Sequence, residues 1–132
     1  MDVDVTTGTA TAGTAAGTDP IVTNPDLYRV VLENDRVRVL EYLDSPGDRT
    51  STHGHPDTVM VTLTSFRRRL AADGREVEVE LPAGQARWVS AQQHSGCNIG
   101  DTRTHALFIE LKEAAPVSGQ AAGRTELGPS SS

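Results

Sequence analysis

The sequence predicts an all-β protein with a single domain, a barrel or sandwich of short strands. Hydropathy in the central region alternates with period two rather than 3.6. Turn signals recur at the spacing of short antiparallel strands, at Asn34-Asp35, Ser45 to Asp48, Asp73-Gly74, Pro82 to Gly84 and Gly100-Asp101. No amphipathic helix stands out in the core.

In chain order, Tyr28–Glu33 and Arg36–Leu43 read as a hairpin closed by Asn34-Asp35. Val59–Leu70 reads as one long strand, returned by Glu76–Leu81 through the hairpin signal Asp73-Gly74. Arg87–Ser90, His94–Asn98 and Thr104–Lys112 complete the set. If Asp73 and Gly74 are the loop, Arg69 opposes Glu78, Arg67 opposes Glu80, Leu70 opposes Val77 and Arg68 opposes Val79. Charges of opposite sign then face each other, so the Arg67–Arg69 run is half of a solvated ladder rather than an anion site. Arg68 alone shares a face with Phe66, Leu70, Val77 and Val79. Facing inward, it would clamp an anionic ligand.

Composition bounds the domain. Of 132 residues, 36% are hydrophobic, below the usual share of about 45–50%. The deficit lies at the ends. Residues 1–19 and 114–132 are rich in Ala, Gly, Thr, Ser and Pro and read as disordered tails, because they cannot bury enough apolar area to offset ordering entropy. Residues 20–113 remain as one domain, enough for one core but not two.

Net charge is −6, and the only basic cluster is Arg67–Arg69, which argues against nucleic acid as the main ligand. A single cysteine, Cys97, forbids an intrachain disulfide and a thiolate-cage zinc site. No apolar run reaches the length of a membrane span, and no secretory signal opens the chain. A cytoplasmic protein with no membrane partner is the expectation, with a homodimer through exposed strand edges as an option.

His53-Gly54-His55 is the first chemical signal. Two histidines at i and i+2 on an extended chain project from one face, and two neutral imidazoles so placed can share a transition metal. The second is His94, which shares a strand face with Gly96 and Asn98 while Cys97 points away.

Together these residues resemble the cupins. The first cupin motif runs Gly, five residues, His-x-His, three or four residues, Glu, six residues, Gly. Gly47, His53 and His55 match it. With the three-residue spacing Val59 stands in place of Glu, and Phe66 in place of the last Gly. The second motif runs Gly, five residues, Pro-x-Gly, two residues, His, three residues, Asn. Gly84 and Asn98 match, Ser90 and Gln92 replace Pro and Gly, and one residue rather than two precedes His94. The resemblance spans about residues 28–112. It implies a double-stranded β-helix, or jelly-roll barrel, with a metal held inside by His53, His55 and His94. It implies one divalent transition metal, iron or zinc first and manganese or nickel as alternatives. Val59 cannot ligate.

Three-histidine cupin sites without the Glu resemble those of thiol and diketone dioxygenases. The expected function is therefore a metal-dependent enzyme, with non-haem iron dioxygenase chemistry narrowly preferred. Isomerase, cyclase or lyase chemistry, or a non-catalytic ligand-binding barrel, are the alternatives. A dication without a ligating carboxylate favours a small anionic substrate. His105, aligned with Leu107, Ile109 and Leu111, is expected to face inward, leaving Ala106, Phe108 and Glu110 outside; a hydrogen-bonded core or barrel-mouth histidine is the first reading and a pocket acid or base the second. Arg68 and Tyr42 are further candidates for ligand contact, Tyr42 otherwise packing with its hydroxyl wet. Asp57 fits turn chemistry better than ligation, and Trp88 is expected in the core.

Overall fold

The computed structural model describes residues 18–113. The expected disorder of residues 1–17 and 114–132 lies outside the described residues. One helical turn, α1 (Pro20–Thr23), precedes nine strands: β1 (Tyr28–Glu33), β2 (Val37–Asp44), β3 (His53–His55), β4 (Thr58–Thr62), β5 (Phe66–Ala72), β6 (Arg75–Leu81), β7 (Ala86–Val89), β8 (Gln92–Asn98) and β9 (Thr104–Leu111). They form a five-stranded sheet in the order β1-β2-β9-β4-β7 and a four-stranded sheet in the order β3-β8-β5-β6.

The β5–β6 hairpin has the expected register. Arg67 faces Glu80, Arg68 faces Val79 and Arg69 faces Glu78. Asp73 (φ 53°) and Gly74 (φ 74°) both take positive φ, which matches the right-handed twist of the flanking strands. Arg69 and Glu78 pair at 3.2 Å on the exposed face.

Strand ends shift by one or two residues, and two boundaries differ from expectation by more. The stretch from Val59 to Leu70 is not one strand. It breaks at residues 63–65, and the chain passes from the five-stranded to the four-stranded sheet. The crossing is held by side chains competing for backbone groups: Thr64 Oγ1 donates to Arg103 O at 2.9 Å and accepts from His105 N at 3.0 Å. Asp19, grouped above with the N-terminal tail, is integral to the domain. It caps α1 through Ile21 N and takes two hydrogen bonds from Arg38.

The larger correction concerns which face of the five-stranded sheet lines the barrel. Cross-strand partners share a face. Asp44 pairs with Thr104, Tyr42 with Ala106, Leu40 with Phe108 and Arg38 with Glu110; Phe108 pairs in turn with Met60, and Glu110 with Thr58. These residues face inward, where Leu40, Tyr42, Ala106, Thr58 and Glu110 are buried. The other set, Val39, Ile109, Val59 and Trp88, forms a cross-strand row on the outer face. His105 therefore faces out, not in. Trp88 is 56% exposed on edge strand β7 rather than in the core. The interior is small and aromatic, with Tyr28, Leu40 and Tyr42 at its centre and Phe108 packed against them.

Candidate metal centre

Three histidines meet inside the barrel. His53 and His55 lie on β3 and His94 on β8, with His53 directly opposite His94 in the ladder. Period two sends both β3 imidazoles to one side, and the antiparallel register brings His94 to the same side. Ring centroids are 4.9 Å apart for His53–His55 and His53–His94, and 5.3 Å for His55–His94. One nitrogen from each ring lies within 4.8 Å of the other two.

Hydrogen bonds fix which nitrogen that is. His53 Nδ1 donates to Ser51 O at 2.8 Å, since a carbonyl can only accept. His55 Nδ1 donates to Glu110 Oε2 at 3.0 Å, and His94 Nδ1 to Gln92 Oε1 at 2.8 Å. In its neutral form each ring thus carries its proton on Nδ1 and turns an Nε2 lone pair inward. Three acceptors converge, and the one donor among the described residues is the Tyr28 hydroxyl, 3.2 Å from His53 Nε2. His55 Nε2 is buried without any partner. A buried acceptor without a donor is costly, and a cation bound by all three would satisfy it. The donor set suits a first-row divalent ion, so the residues fit the expected metal.

Each imidazole is braced from behind. Asn24, at the end of α1, accepts from Ser51 N at 2.8 Å and donates to Ser51 O at 3.3 Å, which positions the carbonyl holding His53. Glu110 takes Nε and Nη2 of Arg38 on its other oxygen, and Arg38 continues to Asp19. Phe108 stacks on His55 at 5.1 Å with a 13° interplanar angle. Such supports set ring orientation and ligand basicity.

Burial keeps two of the three rings, His53 and His94, neutral. Burial, reinforced by the neighbouring His55, pushes His53 down to about 4. Burial and the other two histidines push His94 well below its ordinary value. Burial raises the hydroxyls of Tyr28 and Tyr42, so both remain protonated donors at neutral pH.

A cavity of about 230 Å³ opens from the cluster, bordered by His53, His94, Arg68 and Arg87 among polar groups. Its apolar wall comes from Met60, Phe66, Leu70, Val79, Leu81 and Phe108.

The other sequence candidates separate cleanly. Arg68 points inward, is buried, and pairs with Asp44 at 2.6 Å. The Tyr42 hydroxyl is not wet; it donates to Asp44 Oδ2 at 2.5 Å. His105 lies on the outer face, paired with Glu41 at 2.6 Å, and takes no part in the site. Asp57 accepts from Ala91 N at 2.9 Å, as turn chemistry requires. Val59 is on the outer face. The inward residue after His55 on β4 beyond Thr58 is Met60, which lines the cavity, so the four-residue spacing of the first cupin motif is the one this barrel realises. Glu110, Asp44, Tyr28, Asn24 and Gln92 were not anticipated. Glu110 and Asp44 carried one usable signal, each standing in phase with aromatic positions of its strand, Phe108 and Tyr42.

No protein-family model matches the sequence, and no curated protein matches it. Solved structures do. A cupin domain from Bordetella pertussis superposes with a TM-score of 0.62 at 26% identity, over 80% of this chain and 100% of that one. A cupin family protein with a double-stranded β-helix fold from Methanocaldococcus jannaschii gives 0.54 at 10% identity, over 65% and 79%. A cupin 2 conserved barrel domain protein from Salinispora arenicola gives 0.51 at 18%, over 70% and 80%.

Proposed function

We propose that this protein, whose fold is that of the cupins, is a metal-dependent enzyme acting on a small molecule in the barrel cavity, with non-haem iron dioxygenase chemistry leading. The observation that carries the reading is the approach of one nitrogen from each of His53, His55 and His94 to within 4.8 Å of the others, with His55 Nε2 buried and unpartnered. His53, His55 and His94 would hold the ion. Bound iron would supply the redox chemistry that lets dioxygen react with an organic substrate, and bound zinc would supply Lewis acidity.

This chain's own residues supply the setting. Ser51 O, Glu110 and Gln92 keep the three Nδ1 atoms protonated and the Nε2 atoms available. Met60, at the inward position of β4, supplies no carboxylate as a fourth ligand beside the three histidines, which supports the likeness to three-histidine dioxygenase sites. The apolar wall excludes water around a substrate, and His53 and His94 border the same space, so a ligand in the cavity reaches the cluster directly. That access supports an enzyme over a buried structural metal site.

The test starts with elemental analysis of untagged protein purified without added metal, expected to show about one transition-metal ion per chain. Loss of that metal in the triple His53, His55, His94→Ala variant is expected; unchanged metal content would overturn the site. An oxygen electrode then screens small anions against iron- and zinc-loaded protein. Uptake by the iron form only in the presence of substrate supports the dioxygenase, whereas oxygen-independent turnover by the zinc form replaces it with isomerase or lyase chemistry.

A further inference from the structure

We infer that the Nε–Nη2 edge of Arg68 forms a carboxylate subsite in the cavity wall, and that the substrate is a small monocarboxylic acid. The inference rests on the reading above for what the other end of that acid meets, the histidine cluster.

Arg68 differs from its neighbours. Arg67 and Arg69 point out from β5 toward Glu80 and Glu78, whereas Arg68 points in, is 7% exposed, and borders the cavity with His53 and His94. A guanidinium has five N–H donors. Here Nη1 donates to Asp44 Oδ2 at 2.6 Å and Thr104 Oγ1 at 3.1 Å, and Nη2 to the Tyr42 hydroxyl at 3.2 Å. Nε–H and the second Nη2–H have no partner among the described residues. Two neighbouring N–H groups on a fixed planar fork are the complement of a carboxylate.

Asp44 holds the fork and cannot fill the free edge. Its Oδ2 accepts from Arg68 and Tyr42, and its Oδ1 from Asn98 Nδ2 at 2.9 Å and Thr104 N at 3.3 Å. The Tyr42 ring lies 5.1 Å below the guanidinium carbon. Gly96 leaves the edge uncovered. A Cβ at Gly96 would stand 3.1 Å from Nη2 and 3.5 Å from Nε, so any other residue would cap the two free donors. No aspartate or glutamate borders the cavity, which has two arginines, Arg68 and Arg87, on its wall. An anion thus meets donors and no competing carboxylate. Because Asp44 already neutralises Arg68, one negative charge suits the subsite better than a phosphate dianion. Gly96 lies two residues from His94 on β8, about 7 Å along the strand. An acid of a few carbons anchored at Arg68 therefore extends to the histidines.

The experiment follows the arginine Nε–H signals by ¹H–¹⁵N NMR while metal-free and zinc-loaded protein is titrated with propionate, pyruvate and benzoate. The matching amides and inorganic phosphate serve as controls. The acids are expected to shift one Nε–H signal, absent in Arg68→Lys, and the amides to leave it in place. Gly96→Ala, which leaves every charge intact, should weaken acid binding at least about tenfold with zinc affinity unchanged. Arg68→Lys supplies the same comparison should Gly96→Ala fail to fold. Equal binding of acid and amide, tighter binding of phosphate, an unmoved signal, acid affinity retained in both variants, or no binding below about 10 mM would overturn the subsite. Absence of zinc binding would instead overturn the metal centre, and titration of the metal-free protein would still decide the subsite.

Discussion

Glu110→Gln removes one charge and no volume, and its consequence follows from the donors around it. Glu110 Oε2 accepts from His55 Nδ1 at 3.0 Å, and Oε1 accepts from Arg38 Nε and Nη2 at 3.0 and 2.9 Å. A glutamine has only one acceptor oxygen. Turned toward the charged Arg38, it presents its amide N–H₂ to His55 Nδ1, donor against donor. His55 relieves the clash by moving its proton to Nε2, the atom that must stay bare to bind a metal. Each metal-binding event then has to reverse that tautomer against the local hydrogen bond. Losing such a support weakens metal binding by about 10- to 100-fold, or roughly 1.4–2.7 kcal/mol. The metal-free fold should lose about 1.5–3 kcal/mol, the value of a hydrogen bond to a charged group. Arg38 stays anchored by its two bonds to Asp19, so the variant should fold. Zinc affinity is measured by competition with a chromophoric chelator, stability by urea unfolding, and the His55 tautomer by ¹⁵N chemical shifts. A zinc affinity within about threefold of the parent, with Nδ1 still protonated, would refute the argument that Glu110 orients the ligand.

Met60→Glu should raise zinc affinity by adding an inward carboxylate and should lower metal-free stability by burying an unpaired charge. Val59→Glu, on the outer face, should leave zinc affinity within about twofold, and the opposite result from chelator competition would restore the three-residue motif spacing. His53 also predicts a pH slope for the metal-free protein. Its folded pKa, pushed down to about 4 chiefly by burial, lies below the unfolded value of about 6.5. The unfolded chain therefore binds the proton first as pH falls. Stability from this group is intact above about 6.5 and falls by about 1.4 kcal/mol per pH unit down to about 4, about 3 kcal/mol in all. Urea unfolding at pH 7, 5.5 and 4 checks it, and a His53→Asn variant with the parent's slope would disprove it.

The sequence by itself determined much of what depends on neighbours in the chain, though not the Asp19 cap of α1. Asp73-Gly74 set the β5–β6 register, because a two-residue loop of positive φ admits one pairing. His53 and His55 had to share a side because a strand repeats every two residues. The motif spacing then added His94. Period two also groups Leu107, Ile109 and Leu111 against Ala106, Phe108 and Glu110, but it is silent on which group faces in. Assigning the more apolar group to the interior fails because this barrel encloses a polar site. Glu110, Arg38, Asp44 and Arg68 are tolerable inside because each is paired there, and the apolar row of Val39, Val59 and Ile109 is left on the outer face. Pairings between residues far apart in the chain decided the rest: Glu110 lies 55 positions from His55, and Asp44 lies 24 from Arg68. Only the closure of the two sheets brings those side chains together, and with them the orientation of every imidazole and the free edge of Arg68.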